Sequence, residues 1–244
     1  MIDPRPGLRR RAAAEGLAAF ALVFAGCGAI VANEHYNDAL GAVGVSLVFG
    51  LIIMVMIYAT GHLSGAHINP AVTLAFTLTR HLPARDALAY IAAQLAGASA
   101  GAFLLLAAWT DKPADLGATV PSVAVGTAFL YELVLTAFLM FVIIAVATDT
   151  RAVGAAAAIA IGGTVGLDAL FGGPVTGASM NPARSFGPAL AAGQWENFWV
   201  YIAGPVIGAA VGGFAYQYIR GETPPEIDPD EEPRDGTSPV RLPA

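Results

Sequence analysis

The chain is poor in charge and in cysteine. Only 12% of its 244 residues are Asp, Glu, Lys or Arg, about half of the roughly 25% that a soluble domain carries. The single cysteine, Cys27, excludes an intrachain disulfide. Apolar residues make up 56% of the chain, and its mean hydropathy is +0.64. The scarcity of charge argues against a nucleic-acid-binding protein, and the apolar surplus indicates an integral membrane protein.

Much of the remaining charge lies at the C-terminal end. Residues 220–244 contain three arginines, seven acidic residues and six prolines. A segment of this composition cannot bury enough apolar surface to fold, so we predict a disordered acidic tail at 220–244. The tail accounts for −4 of the net charge of −6, which therefore says little about the rest of the chain.

Long stretches with little or no charge predict membrane-spanning helices. A bilayer core requires about 20 apolar residues per helix. We therefore place six spans, near 12–32, 39–59, 87–108, 122–147, 152–171 and 197–219. The segments 60–85 and 172–195 contain apolar runs, 69–79 and 181–191, that are too short to span. They are predicted to be re-entrant, which requires that protein or water cover their backbone.

Arginine and lysine are distributed unevenly in this topology. Ten arginines fall on one side of the six spans, while Lys112 falls on the other and Arg184 lies in the second re-entrant segment. An excess of cationic side chains marks the cytoplasmic side. Both termini, including residues 1–11, are therefore predicted to be cytoplasmic, in a multi-pass protein of the cell (inner or plasma) membrane.

The N-terminal region also allows a different interpretation. Arginines, an apolar run and Ala25-Gly26-Cys27 resemble a bacterial lipoprotein signal that is cleaved before Cys27. However, Glu15 interrupts the apolar run, and the first span has a counterpart in the second half of the chain. Both observations favour a retained first span.

The chain contains an internal repeat. Residues 65–73 (GAHINPAVT) recur as 177–185 (GASMNPARS), at an offset of 112 residues. The two related halves cover about 12–110 and 120–219, and together form one membrane domain at 12–219. Because each half has three spans, the second half enters the membrane from the opposite side, and inverted repeats of this kind place a permeation site near the midplane.

Further residues repeat outside these two segments. Glu15 has a counterpart in Glu132. Four glycines also repeat, at an offset of 111 residues, as Gly97 with Gly208 and Gly101 with Gly212. Glycines on membrane helices allow two helices to cross closely, which is the role that we predict for these four.

Each repeat contains Asn-Pro-Ala, as Asn69-Pro70-Ala71 and as Asn181-Pro182-Ala183. Asparagine is a strong N-cap, and proline is favoured as the first helical residue, so two short helices are predicted to begin here. With its oxygen bonded to the backbone, each asparagine can direct its amide N–H groups into a pore. Two helix N-termini, each about half a positive charge, would repel cations there and accept neutral molecules.

These motifs resemble the aquaporin (major intrinsic protein) family. Segments 61–73 and 181–188 are highly specific to that family, and the resemblance covers roughly residues 10–220. Segments 54–62, 148–154 and 173–177 look most like the nodulin-like intrinsic proteins and their bacterial relatives. The resemblance implies an all-α membrane protein of six transmembrane helices and two re-entrant half-helices in an inverted repeat. It also implies a homotetramer in which each protomer has its own pore.

The resemblance further implies a second constriction, towards the outer mouth. By motif offset, its four positions are Phe49, Ala169, Ala178 and Arg184. Strict water channels usually have histidine at the position of Ala169, so this filter should be wider and less polar. The expected solutes are water, glycerol and metalloid hydroxides such as arsenous (arsenite), boric or silicic acid, with ions and protons excluded. A water-selective channel is the alternative.

Ionisable residues inside spans raise a functional hypothesis by default. Glu15 and Glu132 could form a proton relay, whereas in the resembled family these residues brace the re-entrant loops. Their symmetric placement favours bracing. Arg184 could pair with Asp168, but its position directly after Asn-Pro-Ala favours the filter.

Two other classes of protein are weighed against a channel. A secondary transporter also has inverted repeats, but it needs an acidic ion site, and no acidic residue lies beside either Asn-Pro-Ala. A membrane enzyme needs a convergent acid, base or nucleophile, and none is recognisable.

No cofactor or metal site is predicted, since the four histidines lack metal-ligand spacing. Water, neutral solutes and the lipid bilayer are the expected partners, and nucleic acid is not.

Overall fold

The computed structural model describes residues 6–149 and 156–221, and most of them are helical. The α-helices of these residues are α1 (Leu8–His35), α2 (Gly41–Ser64), α3 (Pro70–Leu78), α4 (Ala84–Ala108), α5 (Val125–Thr148), α6 (Ala157–Thr176), α7 (Pro182–Ala192) and α8 (Val200–Arg220), and a short 3-10 helix spans Pro113–Gly117. The tail beyond Gly221, the first five residues and the predicted start of the fifth span at 152 lie outside the described residues.

Within the described residues, six helices are long and apolar enough to cross a membrane, and α3 and α7 are not. The outer surface carries large apolar side chains such as Leu88 and Leu167, which are 72% and 61% exposed. By contrast, Glu15, Gln94 and Glu132 are fully buried. Apolar groups outside and polar groups inside suit a lipid environment. The prediction of six spans and two short helices is confirmed.

Two spans extend further than predicted. Helices α2 and α6 continue through Ser64 and Thr176, into the segments predicted to be re-entrant. Each ends where a glycine, Gly65 or Gly177, adopts a left-handed φ of +88° or +85°. Glycine lacks a Cβ and accepts this conformation readily, and it commonly terminates helices in this way. The re-entrant loops therefore begin at these glycines.

The two repeats pack in matching ways. Helix α1 packs against α4 in the first repeat, as α5 packs against α8 in the second. Helices α2 and α6 contact each other across the repeats. Each half-helix also packs against the last span of the opposite repeat, α3 on α8 and α7 on α4. These contacts between repeats make the inverted halves one body.

The repeated glycines lie where the spans of one repeat cross. A Cβ added at Gly97 would overlap the carbonyl group of Gly16, and one added at Gly208 would overlap that of Leu133. Only glycine allows the backbones to approach this closely. The predicted role of these glycines is confirmed.

Candidate pore between the two half-helices

Both half-helices begin at the Asn-Pro-Ala motifs. The side-chain Oδ1 of Asn69 accepts a hydrogen bond from the Ala71 N–H at 2.8 Å. The Oδ1 of Asn181 accepts from the Ala183 and Arg184 N–H groups at 3.0 and 3.3 Å. A proline is the first residue of each helix. The prediction that these asparagines start the short helices is confirmed.

The same asparagines join the two repeats. The Asn69 Nδ2 donates to the Met180 carbonyl at 2.7 Å, and the Asn181 Nδ2 donates to the Ile68 carbonyl at 2.9 Å. The sequence suggested that the amide N–H groups point into a pore. The structure instead commits one of the two N–H bonds of each amide to a backbone carbonyl of the opposite loop. These reciprocal bonds hold the half-helices end to end.

A buried carboxylate organises the loop before the first half-helix. Glu15 accepts hydrogen bonds from the backbone N–H groups of His67 and Ile68 at 2.9 and 2.6 Å. It also accepts from the Ser64 hydroxyl at 2.7 Å and from the Gln94 amide at 2.8 Å. The backbone donors of the loop are therefore satisfied on its protein side.

The second loop has the same arrangement. Glu132 accepts from the Ser179 and Met180 N–H groups at 2.9 and 2.8 Å, and from the Thr176 hydroxyl at 2.8 Å. A tyrosine completes each half: the Tyr90 hydroxyl donates to the Ser64 carbonyl, and the Tyr201 hydroxyl to the Thr176 carbonyl, both at 2.7 Å. The two loops are thus built alike around one carboxylate each.

A largely apolar cavity passes beside the two half-helix N-termini. Residues of both re-entrant loops line it, together with aliphatic side chains such as Ile53, Val165 and Ile143. The polar side chains in its lining are few, and they are His67, Asn69, Ser179, Asn181 and Arg184. A cavity with a mostly apolar wall and a few polar groups near its middle suits a small polar molecule that is bound only briefly.

The four residues predicted for the outer constriction lie together. A second cavity adjoins the first, and the residues that line both cavities are Phe49, Ala169, Ala178 and Arg184. No other residue in the described part of the chain is shared by the two linings. These four therefore surround the junction between the cavities, although they come from α2, α6, the second re-entrant loop and α7.

Arg184 is fixed in this junction. Its side chain is 2% exposed, and its Nη1 donates to the Gly117 carbonyl at 2.7 Å. Its guanidinium carbon lies 5.0 Å from the centre of the Phe49 ring, within cation–π range. Pairing with Asp168 does not occur, since neither carboxylate oxygen of Asp168 has a hydrogen-bond partner among the described residues.

Sequence reasoning missed several residues of this site. Tyr90 and Tyr201 are separated by the same offset of 111 residues as the repeated glycines, and that repetition was a usable signal. The fully buried Gln94, which bonds Glu15 and Thr73, has no counterpart in the second repeat and gave no signal. The Gly117 carbonyl that holds Arg184 could not be found from the sequence, because any residue supplies a carbonyl.

The fold and the cavity define a membrane channel built from two inverted repeats. Six spans surround two half-helices, and the N-termini of the half-helices meet beside one cavity that residues of both loops line. The chain belongs to the major intrinsic protein family, whose model matches residues 5–216.

Similar proteins agree with this assignment. The chain is 46% identical over 207 residues to Nodulin-26 of Glycine max, a match that covers 85% of this chain and 76% of that protein. It is 50% identical over 207 residues to aquaporin NIP1-4 of Oryza sativa subsp. japonica, with 85% and 76% covered. Among solved structures, it is similar to the aquaglyceroporin from Plasmodium falciparum, with a TM-score of 0.77, 27% identity and coverage of 88% and 97%. The predicted resemblance to nodulin-like proteins is confirmed.

Proposed function

We propose that the protein passively conducts water and small uncharged solutes, including glycerol and metalloid hydroxides such as arsenous, boric or silicic acid. Conduction, and not catalysis, is its activity. The junction between the two cavities carries this proposal, because Ala169 and Ala178 line it beside Phe49 and Arg184. The methyl side chain of Ala169 leaves more room in the junction than a histidine at that position would. Arg184 supplies N–H donors to a solute oxygen and repels cations.

The two asparagines form the central selective site of this proposal. Each keeps one amide N–H bond for a solute after it has bonded the opposite loop. Two half-helix N-termini add partial positive charge at the same place. An oxygen lone pair is accepted there, whereas a cation meets donors, positive potential and few acceptors. Ions and protons are excluded for this reason.

Glu15 and Glu132 brace the loops in this mechanism. Their oxygens are occupied by the donors of the loops and of neighbouring side chains. A proton relay would need these groups to exchange protons with the cavity, and neither glutamate is among its lining residues.

A coupled secondary transporter is the second candidate, because one acidic side chain is buried among the spans. Asp168 is 1% exposed and lacks a hydrogen-bond partner among the described residues, as an ion-coupling group would before it binds its ion. However, it lines neither cavity. Flux that rises linearly with the solute gradient and ignores a pH gradient would support the channel. Saturable flux driven by a pH gradient would support the transporter.

The assembly and location follow the same proposal. The protein is a homotetramer with one pore in each protomer, in the cell (inner or plasma) membrane, with both termini cytoplasmic. The channel domain covers 12–219, in repeats of about 12–110 and 120–219. The exposed apolar faces of the spans support burial in lipid or against other copies.

A permeability panel tests the solute range. Proteoliposomes that contain the purified protein are exposed to an osmotic gradient to measure water flux. They are exposed to gradients of glycerol, urea, arsenite or boric acid to measure solute flux. Volume changes are followed by stopped-flow light scattering. We expect fast water flux and measurable flux of glycerol or arsenite. Rapid water flux with both of these solutes excluded would contradict the proposed wide filter.

Ala169→His tests the filter assignment. The imidazole would fill the junction, and because pore diameter sets selectivity, we expect glycerol flux to fall by about tenfold while water flux is largely kept. Ala42→His is the matched control, since Ala42 lines only the second cavity and not the junction. Unchanged glycerol flux in folded Ala169→His protein would overturn the assignment.

A further inference from the structure

Helix α1 contains one turn that differs from the rest of the helix. Val23–Cys27 is π-helical, with Val23, Gly26 and Cys27 buried. The equivalent span of the second repeat, α5, is regular α-helix from Val125 to Thr148. The inverted architecture therefore does not require this turn. Short π-helical insertions within α-helices are frequent at functional sites.

Gly26 touches the ring of Phe49. A Cβ added at Gly26 would lie 2.7 and 2.8 Å from Cδ1 and Cζ of that ring, and closer still to Cε1. Carbon atoms in contact are normally about 3.5–4.0 Å apart, so the ring leaves no space for a methyl group. Because Phe49 lines the junction of the two cavities, the backbone of α1 limits how far its ring can retreat from the junction.

Cys27, the next residue, touches the support of Arg184. Gly117 packs so closely on Cys27 that a Cβ at Gly117 would lie 2.8 Å from the Cys27 Cβ. Gly117 has a left-handed φ of +76°, and its carbonyl accepts the hydrogen bond from Arg184 Nη1. Of two consecutive residues in this turn, Gly26 therefore contacts Phe49 directly, and Cys27 contacts the residue whose carbonyl holds Arg184.

We propose that the π-helical turn Val23–Cys27 sets the aperture of the solute filter, with Gly26 as the positioning residue of Phe49 and Cys27 as that of Gly117 and, through it, of Arg184. This inference rests on the proposed function, in which the junction is the filter. It adds a specificity determinant that touches no solute. The side chains at the junction determine which groups contact a solute, and the π-helical turn determines the distance between Phe49 and Arg184.

Gly26→Ala tests this inference. The added methyl group must displace the Phe49 ring by about 1 Å to restore normal contact, and a shift of the ring away from α1 would narrow the junction that it lines. We expect the ratio of glycerol to water permeability to fall at least fivefold. Gly28→Ala is the matched control from the same helix, because its Cβ would meet only the flexible Leu105 Cδ2, at 3.3 Å, and its ratio should match that of the unmodified protein.

A double variant separates positioning from folding. In Gly26→Ala/Phe49→Ala the methyl group has room, so this protein should fold and should have the same permeability ratio as Phe49→Ala alone. If Gly26→Ala alone does not fold, recovery of folded protein in the double variant still supports the contact. A double variant that also fails to fold, or a folded Gly26→Ala with the ratio of Gly28→Ala, would overturn the inference.

The two proposals fail in different ways. If the unmodified protein excludes glycerol and arsenite, the proposed solute range is wrong, and the inference is then judged on water flux, which Gly26→Ala must lower relative to Gly28→Ala. If the unmodified protein conducts glycerol and Ala169→His blocks it, but Gly26→Ala does not change the ratio, the filter stands and the role of the turn is rejected.

Discussion

Two fully buried carboxylates, Glu15 and Glu132, each serve several donors in this protein. All of these bonds are donated to the carboxylate oxygens, and each loop has backbone N–H groups that would otherwise lack a partner inside the membrane. A carboxylate suits this position because its two oxygens together can accept several hydrogen bonds. A side chain that both donates and accepts cannot replace it without loss.

Glu15→Gln and Glu132→Gln should therefore destabilise the protein more than they alter its selectivity. The glutamine amide would turn one acceptor into a donor that faces other donors, and we expect a loss of roughly 2–3 kcal/mol in the free energy of unfolding. Thermal unfolding of the purified protein in detergent measures this loss.

Glu34→Gln provides the control, because Glu34 is exposed on the same helix as Glu15, and its unfolding temperature should be unchanged. A stable, well-folded Gln variant of Glu15 or Glu132 with altered solute selectivity would count against bracing.

His81, in the connection between α3 and α4, makes stability depend on pH. Burial lowers its pKa, and the charge of Arg220 lowers it further, while a hydrogen bond with Thr79 acts in the opposite direction. In the unfolded chain the pKa is about 6.5. Above that value His81 is neutral in both states. As the pH falls below it, the unfolded chain takes up the proton first, and stability is lost until the lower pKa of the folded state is passed.

His81→Gln should remove this part of the acid sensitivity. We expect the unfolding temperature of the variant to fall less than that of the unmodified protein between pH 7 and pH 5, since an uncharged amide does not titrate. His62→Gln, at an exposed position, is the comparison. Identical pH profiles for His81→Gln and the unmodified protein would refute the prediction.

At the scale of helices, close crossings of spans build each repeat. Helix α4 lies against α1 at Gly97, and α8 lies against α5 at Gly208, with the backbone of one helix directly on that of the other. In lipid, where burial of apolar surface does not drive helices together, such close packing contributes strongly to association. These crossings position Glu15 and Glu132 beside the loops that they bind.

Gly208→Ala should disrupt the second crossing. Its methyl group would overlap the Leu133 carbonyl, and because backbone cannot move aside cheaply, we expect about 1–3 kcal/mol of destabilisation. Gly163→Ala is the matched control, since an added Cβ there meets no atom within 4 Å. Unfolding temperatures and yields of the two variants make the comparison. Equal stability would show that the crossing tolerates a side chain.

At the scale of the whole molecule, charge marks one end of the bundle. Arg11 pairs with Asp86 at 2.7 Å, and Arg220 bonds the Thr148 carbonyl at 3.1 Å, so the start of α1, the start of α4 and the ends of α5 and α8 meet there. Lys112 lies at the opposite end, where it donates to the Ala192 carbonyl at 3.2 Å. Cationic residues collect on the cytoplasmic side of membrane proteins.

Reporter fusions test the orientation. We expect a reporter that is active only in the cytoplasm to be active at both the N- and the C-terminus, because an even number of spans returns the chain to the side rich in arginine. A reporter inserted beside Lys112 should show the opposite location. Activity at one terminus only would contradict six spans, and the reversed pattern at all three sites would contradict the orientation.

Much of the architecture was predictable from sequence because it depends on local properties. The length of apolar runs gave the spans, and the cap chemistry of Asn69 and Asn181 gave the starts of the half-helices. The helix ends were less accurate, since α2 and α6 run on to Gly65 and Gly177. An apolar run does not reveal which of its glycines adopts the left-handed conformation that ends the helix.

The sequence by itself determined the number of spans, the inverted repeat and the residue types available near the midplane, because these follow from apolar length, from parity and from a motif written twice. Only the tertiary structure decided which carbonyls receive the amides of Asn69 and Asn181, where Arg184 is held, and how closely Gly26 backs Phe49. Those contacts join residues far apart in the chain, often through backbone atoms that every residue has. No local pattern specifies them, and they exist only once the helices have packed.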